Sequence, residues 1–201
     1  MPSRRMVDRA SIEDRKLEIA FSLELVEWNI GRYDQIRSSV ASRASLLVSA
    51  NTLLLAGVAL LLSIYNPNPD GEKLSFILIA FFVLLVATLI FVLTSIWYCV
   101  DAIAATRTRK TSRQTFKGVL PDRFLFNWGD TLRNNAAYED FATKLRKSSP
   151  SEILEAALAE LWTAIYQHSV KHRSLRWGIR YFRLSIILFF SLAVVTAAHR
   201  F

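Results

Sequence analysis

The chain has 201 residues, 52% of them hydrophobic, and its 25 Lys plus Arg against 17 Asp plus Glu give a net charge of +8. Phe contributes 13 residues, Gly only 6 and Pro only 5, a composition that excludes collagen-like, linker-like and intrinsically disordered classes. One cysteine, Cys99, and three histidines exclude an intramolecular disulfide and a four-cysteine zinc site, and leave little for any all-protein metal site.

The first element, residues 1–45, carries an apolar repeat of seven: Ile12, Ile19, Val26, Tyr33, Val40 and Leu47 share one seam position. The companion position reads Lys16, Leu23, Ile30, Arg37 and Ala44, a coiled-coil seam with two basic interruptions. Leu47 already lies in apolar sequence. A single helix is therefore expected from about Ile12 through the cytoplasmic interface into the bilayer, losing ~1 kcal/mol at Gly31 without breaking there.

Between Arg43 and Asp70 lie 26 uncharged residues, and between Lys73 and Asp101 lie 27. Each run exceeds the roughly 20 apolar residues that cross a hydrocarbon core, so 46–65 and 75–100 are expected as transmembrane helices. The 66–74 segment between them holds Asn66-Pro67-Asn68-Pro69-Asp70-Gly71, turn formers that make the two spans a hairpin with a short external loop. The first apolar stretch begins too far from Met1 for a secretory signal peptide. Along the first span a row of small residues keeps four-three spacing: Ser38, Ser42, Ser45, Ser49, Thr52, Ala56, Ala59 and Ser63. Small faces let helices approach closely in lipid. One reading is tight packing on the second span; the other is a subunit interface or water path, with Asn51 nearby, that opens on activation.

Residues 101–183 form the expected cytoplasmic helical region. Thr106 to Lys117 is polar and basic, Pro121 and Gly129 punctuate, and Asn134 to Lys147 can form a short amphipathic helix through Ala137, Tyr138, Phe141 and Leu145. Ser149-Pro150-Ser151-Glu152 is a capping box with Pro at the first helical position. From it Leu154, Leu158, Leu161, Ile165, His168, His172, Leu175, Ile179, Phe182 and Ile186 recur at spacings of four and three, predicting one helix to about Ala198. The last apolar stretch, 184–199, has 16 uncharged residues, about 24 Å of helix. It reads as a third span if Arg183 and Arg200 extend to the two interfaces with Trp177 and Tyr181 as the near anchor. Otherwise it is a helix end packed on the first two spans.

The positive-inside rule puts the N-terminus and 101–183 in the cytoplasm, because Arg37 and Arg43 precede the first span and Arg107, Arg109, Lys110, Arg113 and Lys117 follow the second. Both long helices then enter the membrane by their C-terminal ends, and if their seams meet they pack parallel with Arg37 and His172 at similar heights. Residues 101–183 hold 15 Lys plus Arg against 8 Asp plus Glu, a charge expected beside anionic membrane lipid rather than on nucleic acid. The expected fold is an all-α membrane protein, three transmembrane helices with long helical cytoplasmic extensions forming a stalk. The two seams offer more apolar surface than one stalk needs, so a homo-oligomer is expected.

No phosphate-binding glycine loop, GxSxG, HExxH or cysteine nucleophile with a histidine base occurs, so neither catalytic residues nor a cofactor is expected. His168 and His172 stand four apart on one helix face, but two ligands are too few for a metal. They read as polar interruptions that set register, as partners of Asp34, or as part of a ligand-sensing site. Arg37, Arg107, Arg109, Lys110 and Arg113 are the other candidate ligand residues, able to embrace a phosphate, although a basic run after a span is commonly topological. Asp130, Glu139 and Asp140 are expected to solvate the cytoplasmic face.

The order of these parts resembles a known family. A helix entering the membrane through Ser42-Arg43-Ala44-Ser45-Leu46-Leu47, a tight hairpin, a cytoplasmic segment and a helix through Ile165, Lys171 and Leu175 into a last span resemble the transmembrane effectors of bacterial Pycsar anti-phage systems, and more loosely the SLATT class of membrane proteins. The likeness covers about Glu27 to Ala198; where the family tends to carry Asp-Lys before the first span, this chain has Ser42-Arg43. The resemblance implies a partner cyclase that makes a cyclic pyrimidine nucleotide during infection. It also implies an effector in the bacterial inner membrane that responds to the nucleotide, and membrane impairment that ends in abortive infection. The alternative is a non-toxic inner-membrane scaffold or sensor.

Overall fold

A computed structural model describes residues 4–64, 76–104, 123, 125–135 and 137–200. Among the described residues every regular element is a helix: α1 (Arg4–Ile64), α2 (Phe76–Ala104), α3 (Trp128–Asn134), α4 (Tyr138–Lys147) and α5 (Pro150–Arg200). Three of them, α1, α2 and α5, are long and apolar enough to cross a membrane. The loop 66–74 lies outside the described residues, as does the basic run Thr106 to Lys117.

α1 is one helix through Gly31, as its seam predicts, and it starts earlier than Ile12 because no proline or glycine interrupts Arg4 to Ser11. A Cβ at Gly31 would meet nothing within 4 Å, so packing does not require glycine there. The seam faces inward: Val26, Val40 and Ala44 are buried, and Ile19, Tyr33 and Leu47 are half-buried. At the start of α5 the capping box is made in both directions. The Ser149 N–H donates to Glu152 Oε2 at 2.7 Å and the Glu152 N–H donates to Ser149 Oγ at 3.3 Å, which satisfies two amides that the first turn leaves open.

The helix expected between Asn134 and Lys147 forms over Tyr138–Lys147, and a separate short helix not expected from the sequence, α3, precedes it and ends at Asn134. Asn127 caps α3 by accepting from the Asp130 N–H at 3.1 Å. Asn135 then leaves the helical region at φ −132°, with its own N–H bonded back to Thr131 O, and α4 restarts at Tyr138.

The chain divides into two compact units, 1–36 with 107–168 and 37–106 with 169–201. In the first, the buried face of α5 is made of Ala156, Ala157, Ala159, Glu160, Thr163 and Ala164, whereas Leu158 of the expected stripe is exposed and Leu154, Leu161 and Ile165 are half-buried. Small side chains allow the closest approach to the helix backbone, so the alanine row goes inside and the leucines flank it. The same unit holds a buried ion cluster. Arg123 donates through Nε to Asp130 Oδ2 at 2.9 Å and through Nη1 to Glu160 Oε2 at 3.1 Å, and its Nη2 lies 2.8 Å from Asp130 Oδ2. The side chains of Arg123, Asp130 and Glu160 are 10, 17 and 11% exposed. Asp130 is thus a structural partner rather than the solvated carboxylate expected.

In the second unit α2 runs antiparallel to both long helices. Lys171 Nζ donates to Ile103 O at 3.2 Å, Trp177 stacks on Tyr98, Tyr181 lies against Phe91, and Leu192 packs with Phe81 and Leu85. Carried one turn further, this register brings Ala198 level with the start of α2, so the third apolar stretch lies alongside the whole second span. Within this unit residues of both seams share a cluster with α2, Val40 and Ala44 joining Cys99, Ala102 and Leu175, and further along Val58 joins Phe81, Leu85 and Leu192.

Removing Arg123 would take away the guanidinium that Asp130 and Glu160 share inside the unit. Arg123→Met should therefore lower stability by about 3–5 kcal/mol, read as the loss of the urea midpoint in detergent. A variant as stable as the parent would show that the cluster holds nothing together.

Candidate functional site

The polar groups of the second unit sort into two kinds. Thr88, Ser185 and Thr196 are buried but donate within their own helices, to Leu84 O, Phe182 O and Leu192 O at 2.7, 2.8 and 2.8 Å. Asn51, Ser95 and Gly178 instead form a chain across all three helices. Asn51 Nδ2 donates to Ser95 Oγ at 3.0 Å, and the Ser95 hydroxyl donates to Gly178 O at 2.9 Å. Asn51 and Ser95 are fully buried. Asn51 Nδ2 also reaches Leu47 O at 2.8 Å, while its Oδ1 is buried without a hydrogen-bond partner. Glycine is needed at 178, because a Cβ there would stand 2.8 Å from Cys99 Sγ.

The expected small-residue face has a different setting. Ser38, Ser42, Ser45, Ser49, Thr52, Ala56, Ala59 and Ser63 are all exposed, so this face does not pack tightly on the second span. Ser49, Thr52 and Ser63 turn their hydroxyls back to Ser45 O, Val48 O and Leu60 O. Asn51 stands two residues, about 200° of helix, from Ser49 and belongs to the core rather than to this row.

The candidate ligand residues are scattered. Arg37 is half-buried in the second unit, where it faces Lys171; burial first, and then this guanidinium, hold the Lys171 ammonium below the usual lysine range. His172 is exposed in the same unit, and His168 is half-buried in the first with its ring 5.9 Å from that of Tyr33. Arg107, Arg109, Lys110 and Arg113 lie outside the described residues. No group of three potential metal ligands exists among the described residues.

Near the C-terminal end of α2 Tyr98, Trp177 and Tyr181 stack, Tyr98 and Tyr181 with centroids 5.6 Å apart and planes 8° from parallel. Trp177 and Tyr181, the residues expected as an aromatic anchor, are thus stacked with each other and with Tyr98 of α2. Sequence reasoning missed Arg123, Glu160, Ser95 and Gly178. Glu160 carried a signal, a carboxylate set in a row of alanines at helical spacing, whereas nothing in the sequence distinguishes Ser95 from the other hydroxyls of the spans.

Three helices able to cross a membrane, joined by buried polar groups and stacked aromatics, define an all-helical membrane protein. A family profile described as the Pycsar effector protein domain matches residues 26–198, nearly the whole of that architecture, and the chain belongs to this family. Membership supports an effector role in a cyclic-nucleotide anti-phage system. No curated protein and no solved structure matches the chain.

The pin at Gly178 makes a prediction. Gly178→Ala should cost about 1–3 kcal/mol through overpacking against Cys99, measured by unfolding in detergent, and Cys99→Ala in the same chain should restore most of it, because the sulfur is the obstructing atom. If the double variant stays as weak as the single one, the close approach is held by something other than this contact.

Proposed function

We propose that this chain is the membrane effector of a cyclic-nucleotide-triggered anti-phage system and that, once activated, it impairs the bacterial inner membrane that holds it. A partner cyclase supplies a cyclic pyrimidine nucleotide during infection, the cytoplasmic part responds to it, and the spans transmit the response, so that the infected cell dies before the phage matures. The observation that carries this reading is the family match over 26–198 on a chain with three apolar helices. The action is physical rather than enzymatic. The basic excess of 101–183 supports a cytoplasmic N-terminus and stalk.

Activation requires the nucleotide to prefer one arrangement of the helices, since a ligand with equal affinity for both shifts nothing. The face most able to change partners is the exposed row from Ser38 to Ser63. Its small side chains let another helix approach or leave at low steric cost. Assembly of several copies belongs to the proposal. With Val26 and Val40 buried in their own chain, a second copy would use the side chains that α1 leaves open, Leu17, Phe21 and Trp28, exposed by 70, 68 and 60%.

The test is dye release from vesicles containing the full chain. Cyclic UMP or cyclic CMP should raise the leak rate; a leak unchanged by either nucleotide overturns the effector reading and leaves a non-toxic scaffold or sensor.

The proposed role of the row makes a separate prediction. Ser49→Leu and Ala56→Leu should leave helicity and membrane insertion as in the parent, because both positions are exposed in the subunit, and should abolish the nucleotide-triggered leak. If both variants leak like the parent, the row takes no part in activation.

A further inference from the structure

After Glu160, α5 carries no Asp or Glu as far as Arg200, yet it carries Lys171, Arg173, Arg176, Arg180 and Arg183. The four arginines are spaced three, four and three residues apart, which places them on one face of the helix, and all four are exposed. The opposite side, with Leu175 and Gly178, is the buried one. Among the described residues no carboxylate lies within ion-pair distance of any of the four. Like charges at this spacing repel one another along the helix. Among the described residues the row therefore has no counter-charge.

Its height is fixed by the register with α2. Lys171 reaches Ile103 O, Trp177 lies against Tyr98 and Tyr181 against Phe91, so the row descends from the cytoplasmic end of α2 toward the level of Phe91. Arg180 is not a loose side chain: its guanidinium sits 5.3 Å from the centre of the Trp177 ring, and that ring stacks on Tyr98 and Tyr181. Aromatic rings with one apolar and one wet edge settle at the headgroup boundary. Guanidinium matches phosphate geometry through paired N–H donors and gives up its water more readily than ammonium does.

We propose that Arg173, Arg176, Arg180 and Arg183 form a binding site for phosphate-bearing anions on α5, filled in the membrane by the phosphates of anionic lipids in the cytoplasmic leaflet. The site rests on the reading that α2 and α5 cross the membrane, and not on any response to a nucleotide. It goes beyond the general excess of positive charge inside, which needs neither one face nor an aromatic clamp. Below Arg183 only 16 uncharged residues remain, about 24 Å of helix against a core of roughly 30 Å. Phosphates held at Arg180 and Arg183 draw the leaflet inward and thin the bilayer beside α5, as charged side chains at depth do.

The experiment uses the full chain in nanodiscs of phosphatidylcholine and phosphatidylglycerol, without nucleotide, and measures by mass spectrometry the lipid retained on extraction. The parent should keep phosphatidylglycerol above its bulk share, and Arg176→Gln, Arg180→Gln and Arg183→Gln together should bring the retained lipid back to the bulk composition. Arg15→Gln, Lys16→Gln and Arg133→Gln, which remove the same charge elsewhere, should leave it unchanged, with circular dichroism confirming both folds. A soluble arm adds inorganic phosphate or cyclic UMP. Displacement of lipid by either, lost in the α5 triple variant, keeps the site but assigns it to a free phosphate. Equal lipid retention in parent and α5 triple variant, with no arginine-dependent binding of the soluble anions, overturns the site whatever the outcome of the dye-release test.

Discussion

Much of the second unit depends on how closely α5 approaches α2 at Gly178. In lipid, apolar surface gains little by leaving one hydrocarbon for another, so helices associate through packing and through hydrogen bonds that the chain must supply itself. With no side chain at 178, the backbone of α5 lies against Cys99 and its carbonyl accepts from Ser95, whose own oxygen accepts from Asn51. One position thereby brings three helices together. The clusters around Ala44 and Leu175, and around Val58 and Leu192, hold the same three helices together at other heights.

The first unit solves a different problem. Its alanine face on α5 buries little side-chain volume, and the ion cluster of Arg123, Asp130 and Glu160 ties Arg123 and the short helix α3 to a long helix instead. A buried ion pair is a weak source of net stability because desolvation offsets much of its attraction. What it supplies is position: a guanidinium with two carboxylates on different elements has few alternative arrangements.

Much of this fold was legible in the sequence because its signals are long or redundant. Runs of 26 and 27 uncharged residues leave little room for another reading, and Ser149-Pro150-Ser151-Glu152 names a helix start by four residues at once. The seam of α1 was legible for the same reason, being repeated from Ile19 to Leu47. On α5 the sequence misled through residue size: leucine at 154 and 158 reads as core, while Ala156 and Ala157, weaker hydrophobes, take the inside because backbones approach best there. The small face of α1 showed that something can come close, but not what. The separation of Asn51 from Ser49 was available from helical geometry alone. Arg123 was hidden, since a single basic residue in an irregular segment looks solvated until its two carboxylates are placed beside it.

The pin also has a history in each molecule's synthesis. Asn51 and Ser95 are 44 residues apart, and Ser95 and Gly178 are 83 apart. At roughly 5–20 residues per second of translation, the ribosome needs several seconds more to make the last partner after the first two are complete. The hairpin of the first two spans is therefore complete before the carbonyl that accepts from Ser95 has been made. Insertion of the hairpin and its final assembly with the last helix become two separate events.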